Sequence, residues 1–177
     1  MTKNKTLLLV NNYSLIAKLK EESNITFLFP LKDFTVGFEN TFMLSDIDIE
    51  GFIFINRILD NASIIKLKET LNNLPKNIKG IVFDDIGVLN VLLELDLKIT
   101  KILFLNHLNC NYESINGYLK YVDSVVISTD ITKEETEEIL LKTTKPLVLL
   151  LFGHVNIMYS RRNLLTNYNK HFNKNIS

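Results

Sequence analysis

Tryptophan is absent from these 177 residues, cysteine occurs once, histidine and proline three times each, and glycine six times. The single thiol, Cys110, can close no internal disulfide and build no cysteine cluster. That excludes a disulfide-stapled fold and points to a reducing, cytoplasmic setting. With so little Pro and Gly there is no linker, and residues 1–177 are expected to form a single α/β domain with its own core. An excess of one charge is missing too. Twenty Lys and Arg balance 20 Asp and Glu, so the footprint of a nucleic-acid or membrane-surface partner is absent. The apolar runs TLLLV (6–10) and PLVLLLF (146–152) are too short for a signal-peptide core or a membrane span. No GxSxG, no HExxH and no Ser-His-Asp constellation is legible, which counts against a hydrolase, and neither a metal nor a cofactor is expected.

What is present is a rhythm. Strand-length apolar runs recur at 6–10, 25–29, 51–56, 80–84, 101–106, 124–128 and 146–152, and most are continuous rather than alternating. A strand that is apolar on both faces is covered on both, the habit of parallel sheets. Helical patterns separate the later runs, at 61–74, 85–96, 111–122, 129–142 and 160–172. Asn61 or Ser63 is expected to cap the first, Asp85 to open the second, Thr132 and Glu135 to form a capping box in the fourth, and Ser160 to cap the last. Segment 30–50 reads as an irregular loop with a short strand. The alternation predicts a parallel sheet with right-handed crossovers. A full (β/α) barrel takes roughly 250 residues. The chain is therefore expected to form a partial, parallel-stranded TIM-like barrel, with an open doubly wound sheet as the competing closure.

In such folds ligands bind at the carboxyl ends of the strands. The polar residues just past each strand are Asn56, then Asp84 and Asp85, then Asn106, His107, Asn109 and Asn111, then Ser128 and Asp130, then His154, Tyr159, Arg161 and Arg162. Asp84 and Asp85 either cap the following helix or act as an acid–base pair. His107 is expected to be a structural histidine, and His154 to be more exposed. Cys110 is expected to be a small buried hydrophobe. Arg161 and Arg162, set at the start of a helix, oppose its dipole. They call for a carboxylate, supplied either by Asp84, Asp85 or Asp130 or by an acidic ligand held bidentately.

The stretch FGHVNIMYSRRNLLTNY (152–168) resembles the signature of peptidase family U-32, the collagenase-like proteases, through Gly153, Tyr159, Ser160, Arg162, Leu164, Leu165, Asn167 and Tyr168. Upstream, GIVFDDIGVLNVLLE (80–94), LNHLNCNYESINGYL (105–119) and VDSVVISTDITKEETEEI (122–139) are similar to family segments in the same order, so the likeness spans about residues 50 to 170. The resemblance implies the N-terminal barrel portion of the family, an active mouth at the strand ends, and proteolysis of a peptide-like or acidic ligand. It also admits a non-catalytic module that self-associates or pairs with a family homologue. Relatives that hydroxylate RNA bases or quinones hold an iron–sulfur cluster on cysteines. Asn156 and Asn163 stand at the positions where those members carry thiolates, and amides do not replace them. Hydroxylation therefore ranks last. Family members continue past the signature, so the barrel is expected to be truncated.

Overall fold

The apolar runs become strands that pair strictly in chain order. A computed structural model describes residues 5–105, 108–153, 160 and 162–172. Its strands are β1 (Thr6–Leu9), β2 (Ile25–Pro30), β3 (Gly51–Ile55), β4 (Ile78–Phe83), β5 (Thr100–Leu103), β6 (Ser124–Val126) and β7 (Leu147–Val148). All neighbours are parallel and the order is β1-β2-β3-β4-β5-β6-β7. With intervening helices, this sheet curls into a half-barrel, the partial TIM-like architecture expected. Among the described residues no helix is long and apolar enough to cross a membrane.

The strands are apolar on both faces because two cores use them. On the outer face Ile53, Ile55, Ile81, Phe83, Leu103 and Val125 pack with helix residues such as Leu67, Leu71, Val88, Leu92, Ile115 and Ile139. On the concave face Leu28, Phe54, Val82, Ile102 and Val126 form a smaller cluster, bordered by the partly buried Leu7, Leu9, Phe38, Phe52, Phe104 and Val148. Each fully buried Phe or Ile contributes about 1.5–3 kcal/mol of hydrophobic stabilisation, so the central strands dominate. Gly80 lets this curvature close tightly. A Cβ there would stand 2.5 Å from the Phe52 ring, which lies over it from the neighbouring strand.

The helices follow their caps. In α2 (Asn61–Asn72) Leu67 and Leu71 face inward, and the cap is Asp60, whose carboxylate accepts from the Ser63 N–H at 2.8 Å. The expectation of Asn61 or Ser63 is corrected to Asp60, because Asp60 is the last residue with extended backbone. Asp85 does cap α3 (Ile86–Glu94), and Asn111 caps α4 (Tyr112–Tyr118). The Thr132–Glu135 box opens α5 (Lys133–Lys142) as expected, with both reciprocal bonds present at 3.2 and 2.7 Å.

Three expectations fail. A first helix, α1 (Tyr13–Leu19), stands where the sequence reading has none; Asn12 caps it and Ile16 is its buried residue. Segment 30–50 has no strand of its own: after Pro30, which ends β2, there is only an isolated Leu31–Phe42 bridge and a single 3-10 turn at Leu44–Asp46. At the end of the chain, β7 stops at Val148, and α6 (Leu164–His171) starts four residues later than Ser160, with Asn163 at its cap position and no side-chain cap bond.

Candidate functional site

Because every strand runs the same way, all carboxyl ends share one edge of the sheet. Ile55 pairs with Phe83 and Phe83 with Leu103, while Leu103 pairs with Val125 and Val126 with Val148. One residue further along each of β3, β4 and β5, the same register sets Asn56, Asp84 and Phe104 in a row with Val126 and Val148. The bonds Asp84 N–H to Ile55 C=O (3.0 Å) and Phe104 N–H to Phe83 C=O (2.7 Å) continue the ladder into that row. By two-residue alternation Asn56 follows Phe54, and Asp84 follows Val82, on the concave side.

The adjacent aspartates therefore part company. Asp85 turns to the helix layer, where one carboxylate oxygen accepts from Gly87 N–H at 2.6 Å and the other from Leu59 N–H at 2.9 Å. It caps α3 and ties down the β3–α2 connection. Asp84, partly buried, is the one at the mouth.

Asn56 is buried, and its carboxamide grips one residue twice. Its Oδ1 accepts from Val36 N–H at 2.9 Å and its Nδ2 donates to Val36 C=O at 3.2 Å. The next residue extends this grip on the β2–β3 loop. Arg57 N–H donates to Phe34 C=O, and the Arg57 guanidinium donates to Asp33 C=O at 3.1 Å. Asp33 stands in the left-handed region (φ 71°). The Lys66 ammonium, 2.8 Å away, hydrogen-bonds its carboxyl and holds it below the usual carboxylate range, with Lys32 and Arg57 adding to the effect.

A second polar group gathers between β5 and β6. Asn109 is fully buried and donates through Nδ2 to Val126 C=O at 2.9 Å, while its Oδ1 meets no partner among the described residues. Ser128 N–H donates to Asn109 C=O, and the buried Ser128 Oγ accepts from Asp130 N–H at 3.1 Å. Asp130 is exposed and Cys110, expected to be buried, is only half-buried.

Asn56 and Asp84 are thus neighbours, and Asn109, Ser128 and Asp130 are linked. Arg162 joins neither set among the described residues. It is exposed, its N–H donates to Ser160 Oγ at 3.2 Å, and the depression of about 350 Å³ beside it is lined, among the described residues, by Ser160 and residues 162–166. The expectation that it sits in a helix's first turn against the dipole is corrected, because the helix begins two residues after it. Asn106, His107, His154, Tyr159 and Arg161 lie outside the described residues.

Sequence reasoning missed the aromatic residues. Phe54 meets Phe104 at 5.6 Å between centroids and Phe38 at 5.8 Å, both edge to face. Counting alternation through GFIFIN and KILFLN would have set Phe54 and Phe104 on the same face as the strand-end polar groups.

Among the described residues no three His, Cys, Asp or Glu are grouped to hold a metal ion, and an iron–sulfur cluster needs several thiolates where this chain has one cysteine in all. The donor set does not fit the cluster that hydroxylating relatives carry.

A family model described as Peptidase family U32 matches residues 39–176, from the β2–β3 loop to beyond α6. No curated protein and no solved structure matches the chain.

Proposed function

The chain belongs to peptidase family U32, and from that membership we propose that it is a peptidase-type hydrolase taking an acidic or peptide-like ligand at the carboxyl-end mouth of the half-barrel. One observation supports this reading above others. In the parallel register Asn56, Asp84 and Phe104 share a row at the mouth, polar groups beside an apolar wall, which is the make-up of a small-ligand site. Asp84 is the carboxylate to carry proton transfer, because the register sets it at the mouth while Asp85 turns to the helix layer. On this reading Asn109, Ser128 and Asp130 form the opposite wall. His154, Tyr159, Arg161 and Arg162 follow the seventh strand in the sequence, and of these four only Arg162 is among the described residues. Arg162, exposed ahead of α6, is the group to meet a ligand carboxylate through two parallel N–H donors.

The test is turnover of an acidic peptide library under metal chelation. Arg162→Ala is expected to lower kcat/KM for acidic peptides about 10-fold or more, the scale of a lost charged hydrogen bond, with the thermal midpoint unchanged. A parent protein that cleaves no peptide, or a variant that cleaves as fast as the parent, counts against the reading.

A second reading is a non-catalytic module that pairs with a longer family homologue or with itself. What favours it is that β1 and β7 each have a single neighbour in the described sheet, and that Leu151 and Phe152 beside β7 are 85% and 97% exposed. Co-elution with such a homologue, without turnover, would select it.

A further inference from the structure

We infer that Phe38, Phe54 and Phe104 form the seat for an apolar side chain of the ligand, so that the mouth selects peptides by an aromatic or large aliphatic residue. The inference rests on the peptide-binding reading above and adds its specificity.

Phe54 is the next-to-last residue of β3 and Phe104 the first beyond β5, so both rings stand at the carboxyl-end half of the concave face. Phe38 reaches them from the β2–β3 loop. Phe54 is nearly closed off at 7% exposure, while Phe38 and Phe104 keep part of their surface open. Phe104 also shares its register row with Asn56 and Asp84, so the apolar seat is continuous with the polar groups of the proposed site. Edge-to-face rings favour a further ring or branched aliphatic group against their free faces.

The loop that delivers Phe38 is built to hold still. Its base is closed by Lys32 N–H to Phe42 C=O and Phe42 N–H to Pro30 C=O, each at 2.9 Å. Val36 has both backbone groups held by Asn56, and Gly37 then takes a positive φ (82°) that turns the chain toward Phe38. A wall fixed in this way is preorganised, which cuts the entropy cost of binding.

Two fluorescein-labelled hexapeptides, glycine and glutamate throughout except for Phe or Ala at the fourth position, serve as probes, with binding read by anisotropy. The parent is expected to bind the Phe peptide about 10-fold or more tightly than the Ala peptide, the discrimination an apolar pocket can give. Phe38→Ala is expected to shrink that ratio to within about 2-fold, with the Phe peptide losing far more affinity than the Ala peptide, and Phe38→Leu to restore most of it. Thermal unfolding checks that each variant folds. If Phe38→Ala does not fold, Phe38→Leu carries the test, with a ratio below the parent's and above parity. A ratio unchanged in both variants, or both peptides weakened in parallel, overturns the inference and leaves the peptide reading standing. A parent that binds neither peptide overturns the peptide reading and the inference with it.

Discussion

Strand β4 carries Ile81, Val82 and Phe83, all 3% exposed or less, whereas the apolar run that continues β7 is 40% exposed at Leu150 and 97% exposed at Phe152. The letters are equally apolar; the surroundings differ. β4 has β3 on one side and β5 on the other, helices outside and the concave cluster within. β7 has β6 alone among the described strands, and in and just past α6 the residues Leu164, Leu165, Tyr168 and Phe172 stay between 48% and 81% exposed. An apolar run becomes a buried strand only where partners exist on both edges and cover on both faces.

Substitutions at the two ends of this contrast give the largest expected difference. Phe83→Ala removes a fully buried ring and is expected to cost about 3–5 kcal/mol in chemical denaturation, against less than about 0.5 kcal/mol for Phe152→Ala. Comparable losses would mean that residues 149–152 are covered in solution by another surface. Next comes the tight spot inside the well-packed half. Gly80→Ala drives a Cβ into the Phe52 ring and is expected to cost about 1–3 kcal/mol. In a Phe52→Ala background the same change is expected to be near neutral, and a double-mutant cycle without coupling would show that the ring does not depend on Gly80.

The smallest effect is electrostatic. The folded-state pKa of Asp33 is depressed by its Lys66 hydrogen bond. The stabilisation it gives is therefore complete above the unfolded carboxylate value of about 3.9 and is lost as the pH falls through the lower folded value. Asp33→Asn, which tolerates the left-handed backbone, is expected to flatten this acid limb by no more than about 0.5 kcal/mol, since both partners are exposed. An unchanged stability–pH curve below about pH 4 would remove the pair from the account of the loop.

Most of the fold is legible because short, β-branched and aromatic runs such as GIVF, recurring between helical patterns, read as double-faced strands. The Thr132–Glu135 box and the Asp85 cap are legible because capping is a local, short-range signal. Helix α1 escapes the sequence reading because Asn12 looks like the end of a strand, although the same side chain caps the helix beginning at Tyr13. The sequence makes β7 too long because apolar letters do not reveal whether a neighbour will cover them. The site is less legible. Sequence marks Asn56, Asp84 and Asp85 alike. Which carboxylate faces the mouth is a matter of strand alternation, and that Asn56 binds Val36 is a contact across 20 positions. Phe38 lies in a segment with no periodicity at all.

Strand order that equals chain order has a consequence for biogenesis. Each β-α unit docks on the one made just before it, so no unit waits for a distant stretch of polypeptide to be translated. Such a chain can assemble on the ribosome one unit at a time, with the β1 edge and the newest edge exposed to the cell.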